Sequence, residues 1–124
     1  MGRFKCLVES EEDRERFRVK YRIPPIVGMR YAVQREWVDD RKEGEVVIPM
    51  IALIEGGMTI PMGNITRNYL RFFRLSPTQC APNMFKVSGS VEALNERMNL
   101  ELTHHDVNWV YNLHYLKGLR YCLK

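Results

Sequence analysis

The sequence predicts a small α+β domain, mainly α-helical, with about four helices and a small antiparallel β element from the N- and C-terminal segments. Three features predict it. Apolar residues recur at helical spacing through most of the second half of the chain. Gly56-Gly57, Pro77, Pro82 and Gly118 punctuate those segments at intervals suited to short helices. Two runs, Phe17 to Ile23 and Leu119 to Leu123, alternate apolar with other residues, the period of a half-buried strand. A chain of 124 residues is most economically one domain, and 45% apolar with 27% charged residues excludes a mainly disordered protein.

Taken in order, Ser10 followed by Glu11, Glu12 and Asp13 suits the start of a short helix, with Ser10 as cap and acids in the first turn. Residues 1–15 are otherwise expected to be flexible. From Arg16 the period becomes two: Phe17, Val19, Tyr21 and Ile23 alternate with Arg16, Arg18, Lys20 and Arg22, which predicts a strand ended by Pro24-Pro25. Met29, Tyr31, Val33 and Trp37 form a weaker alternating run, a second strand or an irregular arm. Asp39 to Gly44 reads as a loop between a basic-aromatic N-terminal third and a helical remainder.

A short buried helix is predicted over about 48–55, stopped by Gly56-Gly57. Asn64 is a candidate cap for a helix over 64–75, with Ile65, Tyr69, Phe72 and Phe73 on one side and Arg67, Arg71 and Arg74 opposite. Pro77 stops it. Pro82 opens a helix over 82–98 whose stripe of Met84, Val87, Val91, Leu94 and Met98 is expected to face the core. Thr103 and Asp106 resemble a capping box for a last helix over 104–116, ended by Gly118. The C-terminal run is then expected to pair with the Phe17 to Ile23 strand.

The net charge of +4 and pI near 9.1 are compatible with a polyanion partner, and distribution matters more than the sum. Residues 1–44 hold eleven Lys/Arg and nine Asp/Glu, nearly balanced, whereas the helix over 64–75 carries three arginines and no acid. Cys6, Cys80 and Cys122 are odd in number and widely spread, which argues against a disulfide framework or a zinc knuckle and fits a reducing compartment. With no signal-peptide pattern and no apolar run near the roughly 20 residues of a membrane span, nucleus or cytoplasm is expected. Gly2 to Ser10 reads like the interior of a longer chain, so the sequence is a candidate fragment.

Two basic rows are the candidate sites. Arg16, Arg18, Lys20 and Arg22 on one strand face would lie about 6.6 Å apart, a phosphate ladder or an edge guarded by like charges. Arg67, Arg71 and Arg74, at i, i+4 and i+7, would line a phosphate backbone or face solvent. His104, His105 and His114 fit no metal-ligand spacing, and a capped helix start plus one core-edge histidine explains them better. Cys80 lacks the flanking signature of a thiol nucleophile. Asp39, Asp40, Glu55 and Asp106 show no spacing that predicts convergence on metals, and Gly56-Gly57 lacks the Lys-Ser/Thr of a phosphate loop. Tyr31, Trp37 and Trp109 read as core or interface rather than as base-stacking platforms. No catalytic residue, metal site or cofactor is predicted.

The order of landmarks, Phe17-Arg18-Val19-Lys20-Tyr21-Arg22-Ile23-Pro24-Pro25, Glu45-Val46-Val47, Gly56-Gly57 with Pro61, Leu70, Leu75-Ser76-Pro77-Thr78-Gln79, Pro82-Asn83, then Tyr111, Gly118 and Tyr121, resembles the plant gypsy-type transposon (retroelement-encoded) protein family. The resemblance covers roughly Arg16 to Leu123. It departs at Ala52-Leu53, where an aromatic is usual, and at Ser90, where the helix is normally apolar. It implies an element-associated, non-enzymatic module with no assigned catalytic residues. Three readings follow: a nucleic-acid-associated or assembly module using the basic rows, a protein–protein module docking a partner or another copy, and a metal-dependent nuclease or integrase remnant, which would need Asp39, Asp106, His104, His105 and His114 to converge.

Overall fold

A computed structural model describes residues 4–30, 43–116 and 120–124. The chain divides into two compact units, Met1–Val47 and Ile48–Lys124.

In the first unit a 3₁₀ turn, Lys5–Val8, precedes helix α1, Glu11–Lys20. A reciprocal cap starts α1: the Asp13 amide donates to Ser10 Oγ at 3.1 Å and the Ser10 amide to Asp13 Oδ2 at 3.3 Å. Glu11, Glu12 and Asp13 then lie at the positive end of the helix dipole, and Arg18 and Lys20 at the negative end. The expected strand over Phe17 to Ile23 is therefore corrected to helix. Local alternation cannot compete with a double cap and charges matched to the dipole. The helix buries Phe17, stacks it on Tyr21 with ring centroids 4.6 Å apart, and leaves Val19 69% exposed, whereas a strand would have put all three on one face. Arg22 ends the helix at φ 53°, with the Ile23 amide donating to the Arg18 carbonyl at 2.9 Å. Of the weak alternating run, residues 27–30 hold no regular element, while Tyr31, Val33 and Trp37 lie outside the described residues, as do Asp39 and Asp40.

The second unit holds α2 (Met50–Ile54), α3 (Asn64–Phe73), a 3₁₀ turn at Pro77–Gln79, α4 (Pro82–Met98), α5 (His104–Val110) and an antiparallel pair, β1 (Leu113–Leu116) with β2 (Arg120–Leu123). The α+β, mainly helical class stands, with its small antiparallel element. Pro49 leads into α2, and Gly57 at φ 68° reverses the chain so that the Met58 amide reaches the Ala52 carbonyl at 2.9 Å. A Cβ on Gly56 would lie 2.6 Å from the Ala52 carbonyl oxygen and 3.0 Å from that of Pro82, so this glycine lets α2 close on the start of α4.

The last helix is shorter than expected. Tyr111 turns extended at φ −112°, and Asn112 and Lys124 exchange backbone hydrogen bonds of 2.8 and 3.0 Å, so residues 113–116 become a strand. The C-terminal strand pairs with that segment, Leu113 opposite Leu123 and Tyr115 opposite Tyr121, rather than with the N-terminal run. A hairpin partner a few residues away closes with less entropy loss than one a hundred residues distant. Gly118, expected to end that helix, lies outside the described residues.

The core of this unit gathers Leu53, Ile65, Tyr69, Leu70, Met84, Phe85, Val107 and Leu123. A void of about 10 Å³ at its centre shows close packing. The face that α4 turns inward is not the expected stripe. Met84, Phe85 and Ser88 are buried and Val87 and Val91 half-buried, while Leu94 is exposed and Met98 is 64% exposed. Ser88 can lie inward because its hydroxyl donates to the Met84 carbonyl at 2.9 Å and meets Thr66 Oγ1 at 2.7 Å.

Candidate nucleic-acid interface

Helix α3 is oriented by polar contacts on its buried side. Gly63 precedes it without a side-chain cap of its own. Glu92, reaching across from α4, supplies one: its Oε1 accepts from the Thr66 amide at 3.0 Å and from Thr66 Oγ1 at 3.4 Å. A Cβ on Gly63 would overlap that carboxylate, so the glycine makes room for a cap from another helix. A carboxylate here also suits the positive end of the α3 dipole. Ile65, Thr66, Tyr69 and Leu70 are buried as a result, and the opposite side faces solvent.

That outward side carries Arg67, Arg71 and Arg74, all exposed. Arg67 donates to Asn64 Oδ1. Among the described residues none of the three forms an ion pair with a carboxylate. Helical rise separates Arg67 from Arg71 by about 6 Å along the axis. Arg74 sits just past the helix at φ 54°, ψ 45°, a left-handed conformation, with the Leu75 amide donating to the Leu70 carbonyl at 2.8 Å. Glycine is the usual occupant of such a position, because a Cβ there costs about 1–2 kcal/mol.

An aromatic and imidazole cluster borders this face. Phe72, expected on the apolar side, is 53% exposed, and its ring centroid lies 5.0 Å from Phe73, 5.4 Å from His105 and 5.6 Å from His104. The two imidazoles stack at 4.0 Å. His104 Nδ1 is enclosed without a hydrogen-bond partner, and desolvation, with His105 beside it, holds the His104 pKa below its usual value. Trp109, expected in a core or an interface, is 90% exposed and is no part of the core.

The N-terminal cations do not form the expected ladder. On a helix, alternate residues turn by about 200°, so Arg16 and Lys20 lie on one side of α1 and Arg18 on another, while Arg22 lies past the helix end. Arg16 pairs with Asp13 at 3.2 Å and Glu12 at 3.9 Å. Arg18 is largely enclosed: it donates to the Pro24 and Val27 carbonyls at 2.8 and 2.7 Å and lies 3.6 Å from Glu15. It fastens the chain after α1. Lys20 rests 5.6 Å over the Tyr21 ring, and Arg22 is exposed at its left-handed position.

Other candidate chemistry is dispersed or internally satisfied. Asp106 accepts from the Thr103 amide at 2.7 Å, completing the expected box. The Cys80 thiol is buried, donates to the Ser76 carbonyl at 3.4 Å, and desolvation pushes its pKa up to about 12. Tyr69 is likewise pushed up to about 12, by desolvation and then by nearby Cys80. Among the described residues no group of three or more His, Cys, Asp or Glu is placed to hold a metal. An open groove of about 570 Å³ runs beside α4 past Gly57, Met62, Lys86, Gly89 and Glu96. Its Glu92 carboxylate is already engaged with Thr66.

Thr66, Ser88 and Glu92 are residues that spacing did not single out. Glu92 lies among the polar positions of an amphipathic helix, and only Gly63, adjacent in space, marks where its carboxylate goes. No family model, curated protein or solved structure matches the chain.

Proposed function

We propose that this chain is a non-enzymatic module of plant retroelement origin that binds nucleic acid through the phosphate backbone, with Arg67, Arg71 and Arg74 as the contacting cations. The origin rests on the order of landmark residues given above. The single observation that carries the binding reading is the solvent-facing arginine row with no carboxylate partner among the described residues. Unpaired guanidinium groups held on a rigid helix keep their charge for an external anion. Arg22 and Lys20 are secondary candidates, Arg16 is partly neutralised by its acids, and Arg18 has a structural role. No helix among the described residues is long and apolar enough to cross a membrane.

Salt titration of binding tests this reading. Three phosphate contacts give a slope of log K against log salt of about −2 on a single strand or about −3 on a duplex. Simultaneous replacement of Arg67, Arg71 and Arg74 by Ala removes most of that slope. A wild-type chain that fails to bind at low salt, or binds with no salt dependence, defeats the reading.

A second reading, a protein–protein module that docks a partner or another copy, is favoured by the apolar ridge of Leu94 and Met98, which α4 leaves exposed. Light scattering across a concentration series distinguishes it: mass growth abolished by Leu94→Lys favours assembly over nucleic-acid contact.

A further inference from the structure

The exposed rings beside the arginines are the feature that phosphate binding leaves unexplained. Stepping around α3 by 100° per residue, the arginine row is followed by Asn64 and Asn68 and then by Phe72. Phe72 is more than half exposed, yet its position is fixed from two helices: Phe73 meets it at 81° and His105 at 82°, both near-perpendicular ring contacts. Four residues after His105 on the same side of α5 comes Trp109, the most exposed aromatic described in this unit. The surface thus runs from cations through amides to planar rings.

We propose that the partner of this face is single-stranded rather than duplex nucleic acid, with the α3 arginines on the phosphates and Phe72 and Trp109 receiving unstacked bases. The proposal rests on the phosphate-binding reading and narrows it. In a duplex the base faces are covered by their neighbours, so both rings would meet only sugar, phosphate or water. In a single strand every base offers a face, and basic side chains interleaved with aromatic rings are the common physical solution for holding it. Asn64 and Asn68 stand between the two groups, where amides can donate to phosphate or base edges. The ring contacts of Phe72 with Phe73 and His105 restrict its rotamers and so limit the ordering cost of a stacked complex. The absence of acids among the exposed α3 side chains favours an anionic partner over a neutral apolar one.

The test uses the whole chain and fluorescence anisotropy with a labelled single strand of about 16 nucleotides, long enough for one binding face, and a duplex of equal length. The wild type is expected to bind the single strand at least tenfold more tightly than the duplex. Phe72→Leu, which keeps an apolar side chain against His105, and Trp109→Leu, at a site outside the core, are each expected to weaken single-strand binding roughly tenfold, the stacking of one base. Both should leave duplex binding and the salt slope unchanged. Circular dichroism melts check that each variant folds. Equal affinity for both forms, or no effect of either leucine variant, overturns the single-strand proposal while leaving phosphate binding intact. No binding to either form at low salt overturns both, and self-association lost in Trp109→Leu without nucleic-acid binding assigns the rings to a second copy.

Discussion

Arg74 offers a perturbation in which backbone strain and binding separate. Its φ of 54° and ψ of 45° place an L-residue where a Cβ costs about 1–2 kcal/mol, while glycine there costs about 0.5–1 kcal/mol in chain entropy. Arg74→Gly and Arg74→Ala both remove the guanidinium, so both lose the same phosphate contact and the same charge near the negative end of α3. They differ only in the backbone. The glycine variant should therefore be more stable than the alanine variant by about 1 kcal/mol, or roughly 4–8 °C in melting temperature for a unit of this size. Thermal melts of the two variants at high salt measure that difference, and binding of each to a labelled single strand measures the shared loss, a salt slope reduced by about 0.7. An alanine variant that melts as high as the glycine variant refutes the strain. Wild-type salt dependence in both refutes Arg74 as a phosphate ligand. If both expectations hold, an arginine is kept at a site where glycine is more stable, the pattern expected when strain is retained for function.

Glu92→Ala and Gly63→Ala each should lower stability by about 1 kcal/mol, one by deleting the cap on α3 and the other by displacing it, and the double variant should cost little more than either alone; additive denaturation midpoints would show that the two substitutions do not act through one shared cap. Because His104 has a lowered folded-state pKa, the unfolded chain binds the extra proton first as acidity rises. Stability is thus greatest in the neutral form and falls as pH drops from about 6.5 through the lowered value. Denaturant midpoints across that window should fall in the wild type and flatten in His104→Leu. A thiol reagent should modify exposed Cys6 rapidly in the native chain and Cys80 and Cys122 only on unfolding; fast native labelling of all three would contradict the buried positions. Ser10→Ala should cost α1 about 1 kcal/mol, read as lost amide-exchange protection at its first turn.

Much of the second unit was legible because its signals are local. Pro82 and the 3.6-residue period bound α4 as expected, and Thr103 with Asp106 opens α5 through the box their spacing implied. The face of α4 was not legible. Ser88 and Glu92 lie inward only because Thr66 stands opposite to satisfy them, and no one-dimensional pattern contains that pairing. At Phe17 to Ile23 two local signals conflicted, alternation against a capped start, and the cap prevailed because it satisfies backbone donors directly. Several of the landmark residues in the sequence are structural devices. Ser76 and Gln79 close a box around the 3₁₀ turn. Asn83 fastens α4 to the Leu123 backbone at 2.8 and 3.4 Å. Gly56 admits the helix beside it.

By itself the sequence determined the helical class, the starts of α3, α4 and α5 and the acid-free arginine row of α3, since each follows from bonds or side chains within a few residues. Only the tertiary structure decided which rings stay outside, which carboxylate caps α3, and that the N-terminal cations are turned apart and partly neutralised. The first two outcomes depend on groups brought together from distant positions, where desolvation and hydrogen-bond satisfaction choose the arrangement, and the third on a capped helix start that outweighs local alternation.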